Sequence, residues 1–370
     1  MKIKRICFIA QFPPPIHGLS KAVDTLYNSN LNLNVSENGE FDFSKIDIKN
    51  NKHFFKSIIK IINSNADAYY FTISQSRGGN LRDIILLEIL KLKKAKCILH
   101  LHGGYYRKLI DEVLPKWQKK LNYTLIKDVD AAIVLSESLK NIFHGMIDDE
   151  KIYVVENCVD DNVLLSEEDL LKKINNIDNR KTIKILWLSN FIQSKGYEDV
   201  LELALLEKNR IDNGENQRFK FEFAGKFFRK EEEAHFIEYV KNSQLGDIIS
   251  YHGIVYGNKK RELFNDADIF ILPTRYPNEG QPISILEAMG NGLYIIATNH
   301  AGIPDIVENN INGLLINEET IEEIYKKILS LSNGNLKSIC INNRNYCLSR
   351  FSESNYIDNL SSIFHKVIND

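Results

Sequence analysis

The 370-residue chain has little of what would point away from an ordinary globular protein. It holds two Trp and three Met, and its five cysteines (Cys7, Cys97, Cys158, Cys340 and Cys347) form no CxxC pair. That spacing excludes a disulfide scaffold and a cysteine-built metal centre, and it leaves buried, reduced thiols in a reducing compartment as the expectation. No apolar run reaches transmembrane length. The start, Lys-Ile-Lys-Arg-Ile-Cys-Phe-Ile-Ala, meets Pro13-Pro14-Pro15 too soon for a signal peptide's apolar segment. The expected location is therefore cytoplasmic. Internal repeats beyond alternating βα units, and low-complexity tails, are also missing.

What is present is a soluble composition, 44% hydrophobic and 26% charged. The length predicts two domains, each with its own core. A net charge of −2 hides an uneven distribution, since residues 51–127 carry 15 Lys and Arg against 5 Asp and Glu. A basic half points to an anionic surface or acceptor, while the lack of any nucleic-acid-binding motif excludes nucleic acid. Residues 107–127 read as a helix interrupted or restarted at Pro115. Lys116, Lys119, Lys120 and Lys127 cluster on one face, with Trp117, Leu121 and Leu125 on an apolar one. Two readings fit that face: a solvated side of a core-packed helix, or contact with an anionic membrane surface.

Strands are predicted at residues 3–10, 68–74, 97–101, 130–135 and 151–155, and helices at 19–31, 53–63 and 81–94. Apolar runs alternating with helices describe a doubly wound parallel sheet. A polar linker is expected over 161–180, rich in Asn, Asp and Lys. A second set of strands follows at 183–188, 219–224, 249–255, 269–272 and 294–297, and helices close the chain at 318–331, 336–347 and 353–367. Asp128-Val129-Asp130 and Asp266-Ala267-Asp268 have D-x-D spacing, but each leads directly into the amino end of a strand. They read as turn chemistry away from the ligand-binding ends, so no metal is expected.

The chain is organised around residues 268–316, a βαβ unit in which an apolar strand runs through a Pro- and Gly-containing loop into a short helix over 282–289. Pro282 suits the first helical position, so the unpaired N–H groups near Ser284 and Ile285 offer an anion site at the carboxyl ends of the strands. Glu279 and Glu287 frame that helix. Carboxylates repel a phosphate, so their work there is to accept hydrogen bonds from neutral hydroxyls on either side of it. A nucleotide sugar has hydroxyls at both ends.

Glu279-Gly280-Gln281-Pro282 through Glu287-Ala288-Met289-Gly290, with Leu272-Pro273-Thr274 before and Gly302-Ile303-Pro304-Asp305-Ile306-Val307 after, resembles the E-x7-E signature of retaining GT-B glycosyltransferases of family 4. The resemblance implies two Rossmann-like domains facing each other across a cleft. The first, the acceptor side, would span 1–165, with the last helix, 353–370, crossing back onto it, and the second would span 180–352 and bind the donor. It also implies roles. Glu279 would face the donor sugar and Glu287 the ribose hydroxyls. His102, followed by Gly103-Gly104 at a strand's carboxyl end, would contact the sugar. Lys195-Gly196 would hold the diphosphate, with the Gly280, Ser284 and Ile285 backbone nearby. Gly18, in His17-Gly18-Leu19, stands where many relatives have two glycines, and a plain turn fits it equally. Asn190 replaces the usual Arg five residues before Lys195, so Arg275 or Lys226 is a further candidate cation.

The implied reaction moves a hexosyl group from a nucleoside diphosphate sugar, UDP favoured, to a hydroxyl of a lipid-linked oligosaccharide in bacterial O-antigen or capsule synthesis. No cofactor is implied, and association with the inner face of the membrane would be peripheral. Two alternatives stay open: a nucleotide-sugar-binding partner subunit without catalysis, motivated by Asn190 and Gly18, and a GT-B epimerase.

Overall fold

A computed structural model describes residues 3–15, 18–50 and 54–369. Ile16, His17 and the start of the helix expected from residue 53 lie outside the described residues. The chain forms two compact units, one of residues 1–158, 278–281 and 353–370, the other of 159–277 and 282–352.

The first unit has a six-stranded parallel sheet in the order β2-β1-β3-β4-β5-β6. Its strands are β1 (Lys4–Ala10), β2 (Phe41–Asp47), β3 (Ala68–Thr72), β4 (Cys97–His100), β5 (Ala131–Val134) and β6 (Ile152–Val154). Those read from apolar runs are buried on both faces, as a parallel sheet covered by helices requires. β2 was not expected. It is an edge strand on which only Phe41, Phe43 and Ile46 are buried, an alternating signature too short to stand out. Helix α1 (Gly18–Tyr27) and the C-terminal helix share one face of the sheet, where Val23, Leu26, Leu360 and Phe364 pack on Ile6, Phe8, Phe43 and Tyr70. The opposite face carries α2 (Phe54–Asn63), α3 (Arg77–Leu92) and, beyond the helical turn α4 (Tyr106–Lys108), α5 (Lys116–Ile126). There Tyr69, of opposite parity to Tyr70, meets Ser64 just past α2 with a 2.8 Å hydroxyl contact.

Pro115 does break the helix, as expected, and caps α5. The apolar face assigned to α5 needs correction. Its buried side is Gln118, Asn122, Leu125 and Ile126, because Asn80 of α3 binds Gln118 and Asn122 there. Trp117 and Leu121 point to solvent beside Lys116 and Lys120, while Lys119 turns to Asp111 at 2.8 Å.

The second unit repeats the plan in the order β12-β11-β10-β7-β8-β9. The expected linker over 161–180 is instead structured. Ser166 caps α6 (Glu167–Asn176), and Lys173 is buried with its ammonium donating to the carbonyls of Phe264 and Asn291 at 2.7 and 3.0 Å. The strands are β7 (Ile183–Leu188), β8 (Phe219–Ala224), β9 (Ile249–Tyr251), β10 (Ile269–Leu272), β11 (Tyr294–Thr298) and β12 (Gly313–Ile316). Helices α7 (Tyr197–Asp212), α8 (Lys230–Asn242), α9 (Gly257–Asp266), α10 (Ile283–Gly290), α11 (Ile321–Leu329) and α12 (Asn333–Arg350) surround them, and α13 (Glu353–Asn369) returns to the first unit.

Both D-x-D pairs do turn work. Asp268 is buried, accepts the Lys184 backbone N–H at 3.0 Å and pairs with Arg180, while Asp266 pairs with Lys184. Asp130 likewise accepts the N–H of Cys97, at 2.7 Å. Each ties the amino ends of neighbouring parallel strands together.

Candidate active site

In the first unit the site residues gather at the carboxyl ends of β4, β5 and β6. His100 ends β4 with its Nδ1 2.6 Å from the Tyr70 hydroxyl, and burial together with the neighbouring His102 holds its pKa well below the ordinary histidine value. His102 stacks on it, ring centres 3.9 Å apart and planes 30° from parallel. The imidazole expected to meet a ligand therefore rests on a neutral, wholly buried one. Sequence reading missed His100, although the His-x-His spacing across a strand end was visible.

Residues 278–281 lie in sequence between β10 and α10 of the second unit, yet they belong to the first. Gln281 explains why. Its side-chain oxygen accepts the Asn157 N–H at 2.7 Å, its carbonyl accepts the Asn157 amide at 2.9 Å, and its own amide donates to Glu156 at 3.1 Å. Gly280 sits against Gly103 so closely that a Cβ on it would come within 3.0 Å of the Gly103 Cα, and a Cβ on Gly103 would lie 2.6 Å from the Asn278 carbonyl. Backbone meets backbone here, which only glycines permit. Glu279 is thereby buried in the same unit as His102, not in the unit of Glu287, contrary to the expected 180–352 assignment.

In the second unit the remaining residues surround the carboxyl ends of β7 and β10, the neighbouring strands from which the order runs outward in opposite directions, the usual place for a ligand in such sheets. Lys195 ends a short 3-10 turn, and its ammonium lies 4.7 Å over the Tyr276 ring, which His300 Nε2 fixes by a 2.8 Å bond to the Tyr276 carbonyl. Gly196 follows at φ +77°, and a side chain there would meet the Pro273 carbonyl at 2.3 Å. The loops after β7 and β10 are thus pressed together, with Arg275 N–H donating to the Ser194 carbonyl at 2.6 Å.

Among the candidate cations, Arg275 is engaged with Asp199 at 2.6 Å, and Lys226 is exposed 5.5 Å from the Phe228 ring. Asn190 is exposed, its carbonyl accepting the Ile192 N–H at 2.8 Å. Helix α10 begins one residue later than expected. Pro282 is its cap, and the Ile285 N–H, expected to be unpaired, donates to the Pro282 carbonyl at 3.1 Å. Ile283 and Ser284 remain as first-turn donors that no intrahelical carbonyl can reach. Gly18 is the first residue of α1 rather than part of the loop before it.

Glu287 is buried on α10, its two oxygens 2.6 and 2.5 Å from the Lys260 ammonium of α9. No pattern in the sequence pairs these residues, 27 positions apart on different helices. The lysine compensates the buried charge and orients the carboxylate, whose remaining lone pairs can accept hydroxyl donors. Among the described residues no group of three or more His, Cys, Asp or Glu could hold a metal ion, and no helix is long and apolar enough to cross a membrane.

Residues 167–346 match the family model for glycosyl transferases group 1. An uncharacterized glycosyltransferase of Methanocaldococcus jannaschii, MJ1069, is 25% identical over 288 residues, covering 76% of this chain and 70% of that one. A putative colanic acid biosynthesis glycosyltransferase of Salmonella typhimurium, WcaL, is 27% identical over 135 residues, covering 35% of this chain and 33% of its own length. The UDP-Gal:alpha-D-GlcNAc-diphosphoundecaprenol alpha-1,3-galactosyltransferase of Escherichia coli is 28% identical over 99 residues, 26% of this chain and 25% of that one. The crystal structure of Anabaena HepE in complex with UDP superposes with a TM-score of 0.75 at 14% identity, covering 98% of this chain and all of that one. The two doubly wound sheets are thus the GT-B fold.

Proposed function

We propose that the chain, a glycosyltransferase, transfers a hexosyl group from a UDP-linked sugar, with retention, to a hydroxyl of a lipid-linked oligosaccharide in surface polysaccharide synthesis. The observation that supports this reading is that Lys195 follows β7 while α10, which carries Glu287, follows β10, the neighbouring strand. The UDP in the HepE structure and the diphosphoundecaprenol-linked acceptor named for the Escherichia coli enzyme support the choice of donor and acceptor.

In this reading the ribose hydroxyls donate to Glu287, and the diphosphate meets Lys195 and the N–H groups of Ile283 and Ser284, all of the second unit. His102 and Glu279 bind hydroxyls of the sugar. The bond between the anomeric carbon and the phosphate oxygen breaks with its electron pair going to the diphosphate. Lys195 and the helix dipole stabilise that growing charge. The acceptor oxygen bonds to the same face of the carbon, and its proton passes to the departing phosphate oxygen. Neither a metal nor a cofactor has a part in these steps.

The test is release of UDP from UDP-glucose, UDP-galactose and UDP-N-acetylglucosamine by purified protein, with and without a lipid-linked acceptor, and the anomeric configuration of the product by NMR. Inversion rejects retention. Exposed, neutral Asn190 favours a second reading, donor binding without transfer. UDP-sugar binding with no turnover of any donor, with water or acceptor, would establish it.

A further inference from the structure

The loops that follow β3 and β4 meet, because these strands are neighbours in the first sheet. Hydrogen bonds fix the course of the first loop. Ile73 N–H donates to the His100 carbonyl at 3.3 Å, Ser74 N–H to the buried Asp83 carboxylate at 2.6 Å, and the Ser76 hydroxyl, as the cap of α3, accepts the Gly79 N–H at 3.2 Å. Gln75 lies among them, half-buried, and its side-chain oxygen accepts the Tyr105 N–H of the neighbouring loop at 2.6 Å. A backbone N–H can only donate, so this bond identifies the oxygen end of the amide and thereby the nitrogen end. The nitrogen lies against Gly103, where a Cβ would come within 2.1 Å of it and within 2.6 Å of the Asn278 carbonyl. Gln75 Nε2 is thus set beside the loop that carries Glu279, and among the described residues it has no acceptor.

We propose that Gln75 donates this N–H to a hydroxyl oxygen of the transferred sugar, as the donor counterpart of Glu279. The inference rests on the role given to Glu279 above. A sugar hydroxyl both donates and accepts, so a carboxylate satisfies one half of it and a fixed amide the other. The surroundings select that ligand. An anion is disfavoured beside the buried Glu279 carboxylate and the Asn278 carbonyl, and an apolar group would leave the amide unpaired. Because the loop is already held by its own bonds and by Tyr105, little freedom is lost when the sugar binds. A donor at a fixed point also reads the configuration of one ring carbon, since an epimer carries its hydroxyl elsewhere and leaves the N–H unmet. Gln75 is therefore a specificity-determining residue carried by the first unit, as Glu279 is, whereas the groups assigned to UDP belong to the second.

The test compares wild type with Gln75→Glu and Gln75→Leu in the full chain. It measures calorimetric affinity for UDP, UDP-glucose, UDP-galactose and UDP-N-acetylglucosamine, and kcat/KM for release of UDP from the three sugars. Gln75→Glu keeps an oxygen for the Tyr105 N–H and loses only the donor. Both variants are expected to bind UDP as wild type does and to lose about tenfold in kcat/KM with the preferred sugar. Preference among the three donors should narrow by a similar factor. Where wild type releases no UDP, the same loss is read in its affinity for the preferred UDP-sugar relative to UDP. Wild-type ratios in Gln75→Glu, or an equal loss for all three donors together with weaker UDP binding, would make Gln75 a tether of the Tyr105 loop and overturn the proposal. So would normal donor binding and hydrolysis with only transfer impaired, which would place the amide against the acceptor. A wild type that binds none of the four ligands overturns the donor reading together with this inference, and is recognised without the variants.

Discussion

Both carboxylate oxygens of Glu287 lie within 2.6 Å of the Lys260 ammonium, so one buried acid is held by a base from a different helix. The ribose assignment predicts that Glu287→Ala weakens UDP binding by about 1–3 kcal/mol, measured calorimetrically. Unchanged affinity removes Glu287 from the nucleotide site. Lys260→Met leaves the acid buried without this partner, and a stability loss of roughly 2–3 kcal/mol is expected in urea unfolding. The estimate is at the low end for a buried pair because the lysine side chain keeps 18% of its surface exposed.

Lys195→Ala tests the leaving-group role. If its charge acts mainly on the developing diphosphate, kcat should fall by roughly 10²-fold with a much smaller change in UDP affinity. Loss of affinity with little change in kcat would make it a binding residue only.

His100 should make stability fall with acid. Its folded pKa is depressed, chiefly by burial and then by His102, so the unfolded chain binds the extra proton more readily. Below about pH 6.5, stability is therefore expected to drop by up to about 1.4 kcal/mol per unit. Asp83 works oppositely, since burial pushes it up to about 6 despite Arg82, and the folded state then takes up a proton before the unfolded one does. The histidine effect is thus read as the difference between wild type and His100→Asn in urea unfolding between pH 7 and 5. Parallel profiles would show that His100 does not carry it.

In the proposed reading Lys195 and the α10 N–H groups meet the diphosphate charge, so transfer activity is expected to survive EDTA. Activity abolished by chelation and restored by manganese or magnesium would show otherwise.

How much of this could be read in advance depended on how local each cause was. Strands such as Ile269–Leu272, buried on both faces, announce themselves as apolar runs. Helix α6 did not, since it buries only Leu170 and Lys173 and its remaining residues look like a linker. The short sequence around Glu279 pointed to a ligand site, but its place in the first unit follows from Gly103, Leu135 and Asn157, partners more than 120 residues away that no local pattern names. The Lys260 partner of Glu287 was hidden for the same reason. Local chemistry marks the reactive groups, whereas long-range packing decides which body carries each one.

The course of the chain also restricts how such enzymes can be recombined. It passes from one unit to the other after Cys158, Pro277, Gln281 and Ser352. A fragment ending near residue 165 would keep all six strands of the first sheet but lose Tyr356, Leu360 and Phe364 from its core, together with the acidic residue at position 279. A hybrid made at one junction would therefore join a sheet to a foreign closing helix and a foreign 278–281 loop. Grafting the first unit onto another second unit requires three exchanged pieces, with the four-residue insert among them.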